Sequence, residues 1–120
     1  MKRTKLLLNV TGIANDNPLY ERIRAAHQIL DAGTGVSEAE VKEDWSLGKD
    51  ATDHPLVILN LSDNFKARAE ARFEPAELEN PRQLRWRLLD VWDDLLQNRS
   101  HILLKRLRQE DDSEDAPNGA

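Results

Sequence analysis

Asp53 and His54 stand side by side just before Pro55, with Asp44 and Asp50 close upstream in the chain. A histidine oriented by a carboxylate can act as a general base or, with further ligands, as part of a metal site. Adjacent residues on a loop seldom aim at one target, and His27 and His101 fall on other elements at no ligand spacing. A second carboxylate group, Asp90, Asp93 and Asp94, falls on the polar side of a C-terminal helical pattern. Carboxylates so grouped can hold Mg²⁺ or move protons, but neighbouring basic residues on the same helix make an ordinary charged face of them. The chain contains no cysteine, which excludes thiolate nucleophiles, disulfides and cysteine-ligated zinc. Catalysis around Asp53 and His54 therefore ranks third among the functional readings. No cofactor and no metal are called for.

Basic residues offer more. Arg82, Arg85 and Arg87 open the C-terminal helix with Trp86 among them, and Lys66, Arg68 and Arg72 share one side of an alternating segment before it. Such a set can meet phosphates and stack a base, which makes a nucleic-acid-binding module the second reading. The net charge of -5 argues against it only in part. Glu110, Asp111, Asp112, Glu114 and Asp115 all lie in the last eleven residues, and without them acids and bases balance at 17 each. The body is neutral and polarised, with seven acids against two lysines over residues 31–53 and six arginines with Lys105 against three aspartates over residues 82–108.

The first reading is a protein-interaction module without catalysis: a small adaptor, inhibitor or chaperone-like subunit, with self-association through the last helix as one form. If residues 82–107 make one straight helix, Trp86 and Leu104 project about 100° or more from its central apolar stripe. They would then mark a partner surface together with Arg82, Arg85 and Arg87, because aromatic and arginine side chains supply much of the energy at interfaces. The competing arrangement breaks the helix near Asn98-Arg99-Ser100 and folds residues 101–107 back over Trp86.

These side chains need elements to position them. Residues 5–10, Lys-Leu-Leu-Leu-Asn-Val, form either a short strand or a packed arm. Asn17 and Pro18 are an N-cap and first-turn pair, and Leu19, Ile23, Ala26 and Leu30 follow at helical spacing up to Gly33, placed to end the helix in a left-handed conformation. Ser37 to Glu40 has capping-box spacing for at most one turn before Trp45, and a strand is expected on either side of the turn-rich segment 48–55. Leu56 to Leu61 is a nearly continuous apolar run, predicted as a central strand buried on both faces. Phe65, Ala67, Ala69, Ala71 and Phe73 alternate with charged residues, the period of a half-buried strand. Asn80-Pro81 repeats the helix-start pattern, and Leu84, Leu88, Val91, Trp92, Leu95 and Ile102 lie along one face, flanked by Leu89, Leu96 and Leu103.

The expected fold is α+β: helix, three-stranded antiparallel meander and long C-terminal helix, with an N-terminal strand as a possible addition and both helices on the sheet face carrying Phe65 and Phe73. Double-stranded RNA-binding domains share this helix-strand-strand-strand-helix order. Their basic Lys-Lys-x-Ala-Lys run at the start of the second helix is replaced here by Asn80-Pro81-Arg82-Gln83-Leu84-Arg85, so the similarity is one of topology.

At 120 residues, one domain spanning 1–109 is expected, followed by a disordered acidic tail, 110–120, too poor in apolar residues to offset the entropy of ordering. The apolar run after Lys2-Arg3 stops at Asn9, which reads as mature protein rather than a signal peptide. No stretch is long and apolar enough to span a membrane. With the absence of cysteine, this leads to an expectation of a cytoplasmic location.

Overall fold

The computed structural model describes residues 4–35 and 39–115, with 110–115 as backbone. Strand β1 (Lys5–Val10) leads into helix α1 (Pro18–Gly33). The chain then runs through β2 (Glu40–Lys49), β3 (Pro55–Asp63) and β4 (Arg68–Phe73), a single 3-10 turn (Pro75–Glu79) and helix α2 (Pro81–Asp115). The four strands make one sheet in the order β1-β2-β3-β4. β2, β3 and β4 form the expected antiparallel meander, and β1 adds to its edge parallel to β2, from Lys5 beside Glu40 to Val10 beside Trp45. A parallel neighbour requires a crossover, and α1 supplies it.

Both helices cover the same face of the sheet. Strand residues alternate across it: Val41, Trp45, Val57, Leu59, Leu61 and Phe73 are buried, while Lys42, Asn60, Arg68, Glu70 and Arg72 are exposed. From α1 come Ile23, Ala26 and Leu30, and from α2 come Leu84, Leu88, Val91, Trp92 and Leu95. Trp45 and Phe73 meet near the centre with ring centroids 5.7 Å apart, within the range where tilted aromatic pairs attract beyond their buried area.

The helix starts follow the capping chemistry. Asn17 Oδ1 accepts from Leu19 N–H at 3.0 Å, and Asn80 Oδ1 accepts from Gln83 N–H at 3.3 Å. At the end of α1 the left-handed residue is Gly35, with φ of 69°, rather than Gly33. Gly33 instead faces α2, where an added Cβ would meet Leu89 at 3.5 Å, an ordinary van der Waals contact.

Three other expectations change. Ser37 lies outside the described residues, and Glu40, placed in a turn by the capping-box spacing, already belongs to β2. That strand is bonded on both sides, and its inward series of Val41, Glu43 and Trp45 is masked in the sequence by the charge on Glu43. β3 is buried on one face only, because among the described residues no layer covers the other and Asn60 stands exposed there. The alternation from Phe65 to Phe73 is kept, but Phe65 and Lys66 form the β3–β4 turn, with Lys66 at φ of 70°. Asp63 holds this turn by accepting from the backbone N–H groups of Phe65 and Ala67 at 3.0 and 2.9 Å.

α2 is one continuous helix. Thirty-five residues at about 1.5 Å per residue make it roughly 52 Å long, and the molecule is extended accordingly, 63 by 40 by 24 Å. It passes Asn98 to Ser100 without a break and continues to Asp115, so the backbone of the acidic segment is helical that far. Residues 116–120 lie outside the described residues.

Candidate functional site

The C-terminal half of α2 is tied down at two points and then leaves the body. Asn98 Nδ2 donates to the carbonyl of Arg68 at 2.6 Å, and Arg99 Nε donates to the buried Asp63 carboxylate at 2.6 Å while its guanidinium covers the Phe65 ring. Ile102 is the last residue packed against the core, and residues 103–109 are all exposed. The outer side of the helix is apolar well before that. Trp86 is 65% exposed and Leu104 51%, and Leu89, Leu96, Leu103 and Leu107 are exposed beside them. At 100° per residue these side chains gather into a stripe turned about 120° from the buried one. Between Leu96, Ser100 and Leu104 lies a shallow hollow of about 270 Å³.

Of the three arginines grouped with Trp86, Arg87 is occupied. It bonds Glu77 and the carbonyl of Arg72, the latter at 2.7 Å, with its guanidinium 4.4 Å from the centre of the Phe73 ring. These contacts tie α2 to the 3-10 turn and β4. Burial pushes the Glu77 carboxyl up, but the backbone N–H of Glu74 and the Arg87 guanidinium together outweigh it and hold the group below its ordinary pKa. Arg82 and Arg85 are exposed on the first turns of α2.

The basic residues assigned to nucleic acid are divided between two layers. Arg68 and Arg72 point from the open face of the sheet, and Arg72 pairs with Glu70 at 3.2 Å. Lys66 and Arg68, with Lys42, rim an open hollow of about 670 Å³ on that side. Arg82 and Arg85 stand on the helical layer, across the thickness of the molecule.

Asp53 and His54 do not act on each other. Asp50 organises their turn by accepting from Thr52 N–H at 2.8 Å, Thr52 hydroxyl at 2.7 Å and His54 N–H at 2.9 Å, and these bonds lower its pKa. Asp53, at φ of 67°, pairs with Lys49 at 3.3 Å, and the His54 side chain is 75% exposed. The turn closes the β2–β3 hairpin. Among the described residues no group of His, Asp and Glu is arranged to hold a metal ion.

Comparison with family models, curated proteins and solved structures returns no match to this chain. Its function must be argued from its own surfaces.

One polar cluster escaped the sequence reading. Glu43 is fully buried on β2, where Oε1 lies 2.6 Å from His27 Nδ1 on α1 and Oε2 accepts from Trp45 Nε1–H at 2.7 Å. Burial pushes the Glu43 carboxyl above its ordinary pKa, outweighing the opposing bonds from Trp45 and His27. The alternation of Val41, Glu43 and Trp45 was the available signal, since a carboxylate at an inward strand position must find partners on whatever covers the sheet. Both of its oxygens are used within the fold. The cluster locks α1 to β2.

Proposed function

We propose that this chain is a non-catalytic protein-interaction module, an adaptor, inhibitor or chaperone-like subunit, whose working surface is the outer side of α2. The observation that carries this reading is the stripe from Trp86 to Leu107, exposed on a helix that runs on past the body it packs against. Fully burying one leucine-sized side chain is worth about 1.5–3 kcal/mol, so several such residues left in water on one side of one helix favour a partner that covers them. Apolar patches of this kind, edged by arginine and containing tryptophan, have the composition of interface centres. The nucleic-acid reading has less support, because its basic residues face two directions and two of them are engaged within the fold. No helix among the described residues is long and apolar enough to cross a membrane, and the cysteine-free composition supports a cytoplasmic setting.

Site-specific photocrosslinking in cells tests the surface. A photoreactive residue at position 86 or 104 is expected to give discrete protein adducts, and the same residue at position 60 on the open sheet face to give none. Adducts from position 60 alone would overturn the assignment of the surface.

A further inference from the structure

The pattern along the outer side of α2 reads nearly the same in both directions. Arg82, Leu89, Leu96, Leu103 and Glu110 follow one another at intervals of seven, and residues so spaced stay on one side of a helix, drifting only about 20° per interval. Reversed about Leu96, leucine falls level with leucine, and the cationic end falls level with the anionic one. Between these positions Trp86, Asp93, Ser100 and Leu107 form a second row, and the same reversal brings Trp86 to within one residue, about 1.5 Å along the axis, of Leu107, and Asp93 equally close to Ser100.

We infer that the partner of this surface is a second copy of the chain, with the two α2 helices packed antiparallel about Leu96. The inference rests on the proposed role of α2 as an interaction surface and names its occupant. In this arrangement the part of each helix that leaves its own body, residues 103–109, covers the outer side of the other's anchored half, where Trp86 and Leu89 are exposed. The overhang and the uncovered half are thus complementary parts of one interface.

Charge selects the polarity. Antiparallel packing brings the acidic stretch beginning at Glu110, still helical in its backbone to Asp115, level with Arg82 near the start of the partner helix. It also sets each Asp93 beside a serine hydroxyl able to donate to it. Parallel packing would set Asp93 against Asp93, Arg82 against Arg82 and one acidic end against the other, and like charges held together cost stability and suppress the wrong mode. Polar positions inside an apolar seam, here Asp93 and Ser100, can fix helix register.

The absence of cysteine allows single labels to be placed without background. Spin labels are attached through Gln97→Cys, near the centre of the stripe, or Gln109→Cys, near its end, and distances between labels are measured in the purified full chain. Antiparallel pairing places the Gln97 labels side by side, separated by little more than the helix spacing. It places the Gln109 labels roughly 40 Å apart along the axis, at about 1.5 Å per residue. Short distances at both positions mean parallel pairing, and no dipolar coupling at either position means a monomer. Either result overturns the inference. A monomer that still forms photoadducts with other proteins from position 86 or 104 would retain the interaction surface and discard only the second copy. Arg82→Glu is expected to weaken dimerisation by roughly 3- to 10-fold, and adding Glu110→Arg to restore it. Failure of that rescue, with both variants folded, would count against the antiparallel register.

Discussion

The layer between helices and sheet and the outer side of α2 invert the usual placement of residues. Inside, Glu43 and Asp63 are carboxylates with no exposed side-chain surface, and each is met by bonds from at least two residues. Outside, Trp86, Leu104 and Leu107 stand largely exposed along a helix that runs on past the body. The interior exceptions are resolved within the monomer and fix the fold. Those on the exterior stay exposed in the monomer, which is why the proposed function rests on α2 and not on the buried polar clusters.

Breaking the interior side of this comparison should have the largest effects. Asp63→Ala removes the acceptor for two backbone N–H groups of the β3–β4 turn and leaves Arg99 without its carboxylate. Arg99 Nη2 already lacks a hydrogen-bond partner among the described residues. Loss of one member of a buried pair costs about 3–5 kcal/mol, which urea denaturation should register as an early midpoint. Leu88→Ala, in the fully buried row of α2, should cost about 2–5 kcal/mol by the cavity it leaves.

Glu43 sharpens the comparison through pH. Its carboxyl is raised above the ordinary value in the fold, so the folded state holds that proton more tightly than the unfolded chain does. The resulting contribution to stability is fully present below the ordinary carboxyl pKa and is lost as pH rises through the folded value. Glu43→Gln cannot ionise, yet its amide can still accept from Trp45 and donate to His27. Denaturation midpoints measured across acidic and neutral pH should therefore decline with pH in the wild type more than in the variant. Equal slopes would mean that burial does not govern this group.

The smallest effect on the monomer should come from outside. Leu104→Ala at protein concentrations low enough to prevent association should change unfolding stability by less than about 0.5 kcal/mol, as exposed positions do. A loss comparable with that of Leu88→Ala would mean that the overhanging turns of α2 pack on their own body.

Most of the fold was legible because its strongest signals are local. The Asn-Pro starts, the heptad-like apolar row of α2 and the alternation through Ala67, Ala69 and Ala71 require no knowledge of the rest of the chain. Helix α1 and the meander follow from the same signals. β2 was harder to read, because one inward position carries Glu43 and the partner that makes this tolerable, His27, lies sixteen residues earlier on another element. The exposed side of β3 was hidden for a similar reason, since a run such as Leu56 to Leu61 does not disclose how many layers will cover it. At the candidate surface, Trp86 and Leu104 were separable from the core by angle alone, whereas Arg87 was indistinguishable from Arg82 and Arg85 until Glu77, Phe73 and the Arg72 carbonyl were brought around it.

Sedimentation of the full chain from low micromolar to near-millimolar concentration, beside a Trp86→Glu, Leu104→Glu variant with unchanged circular dichroism, tests the central claim most directly. The account predicts a wild type passing from monomer to dimer and no further, with the variant monomeric throughout. A wild type that stays monomeric over the whole range, or a variant that dimerises as readily, would contradict it.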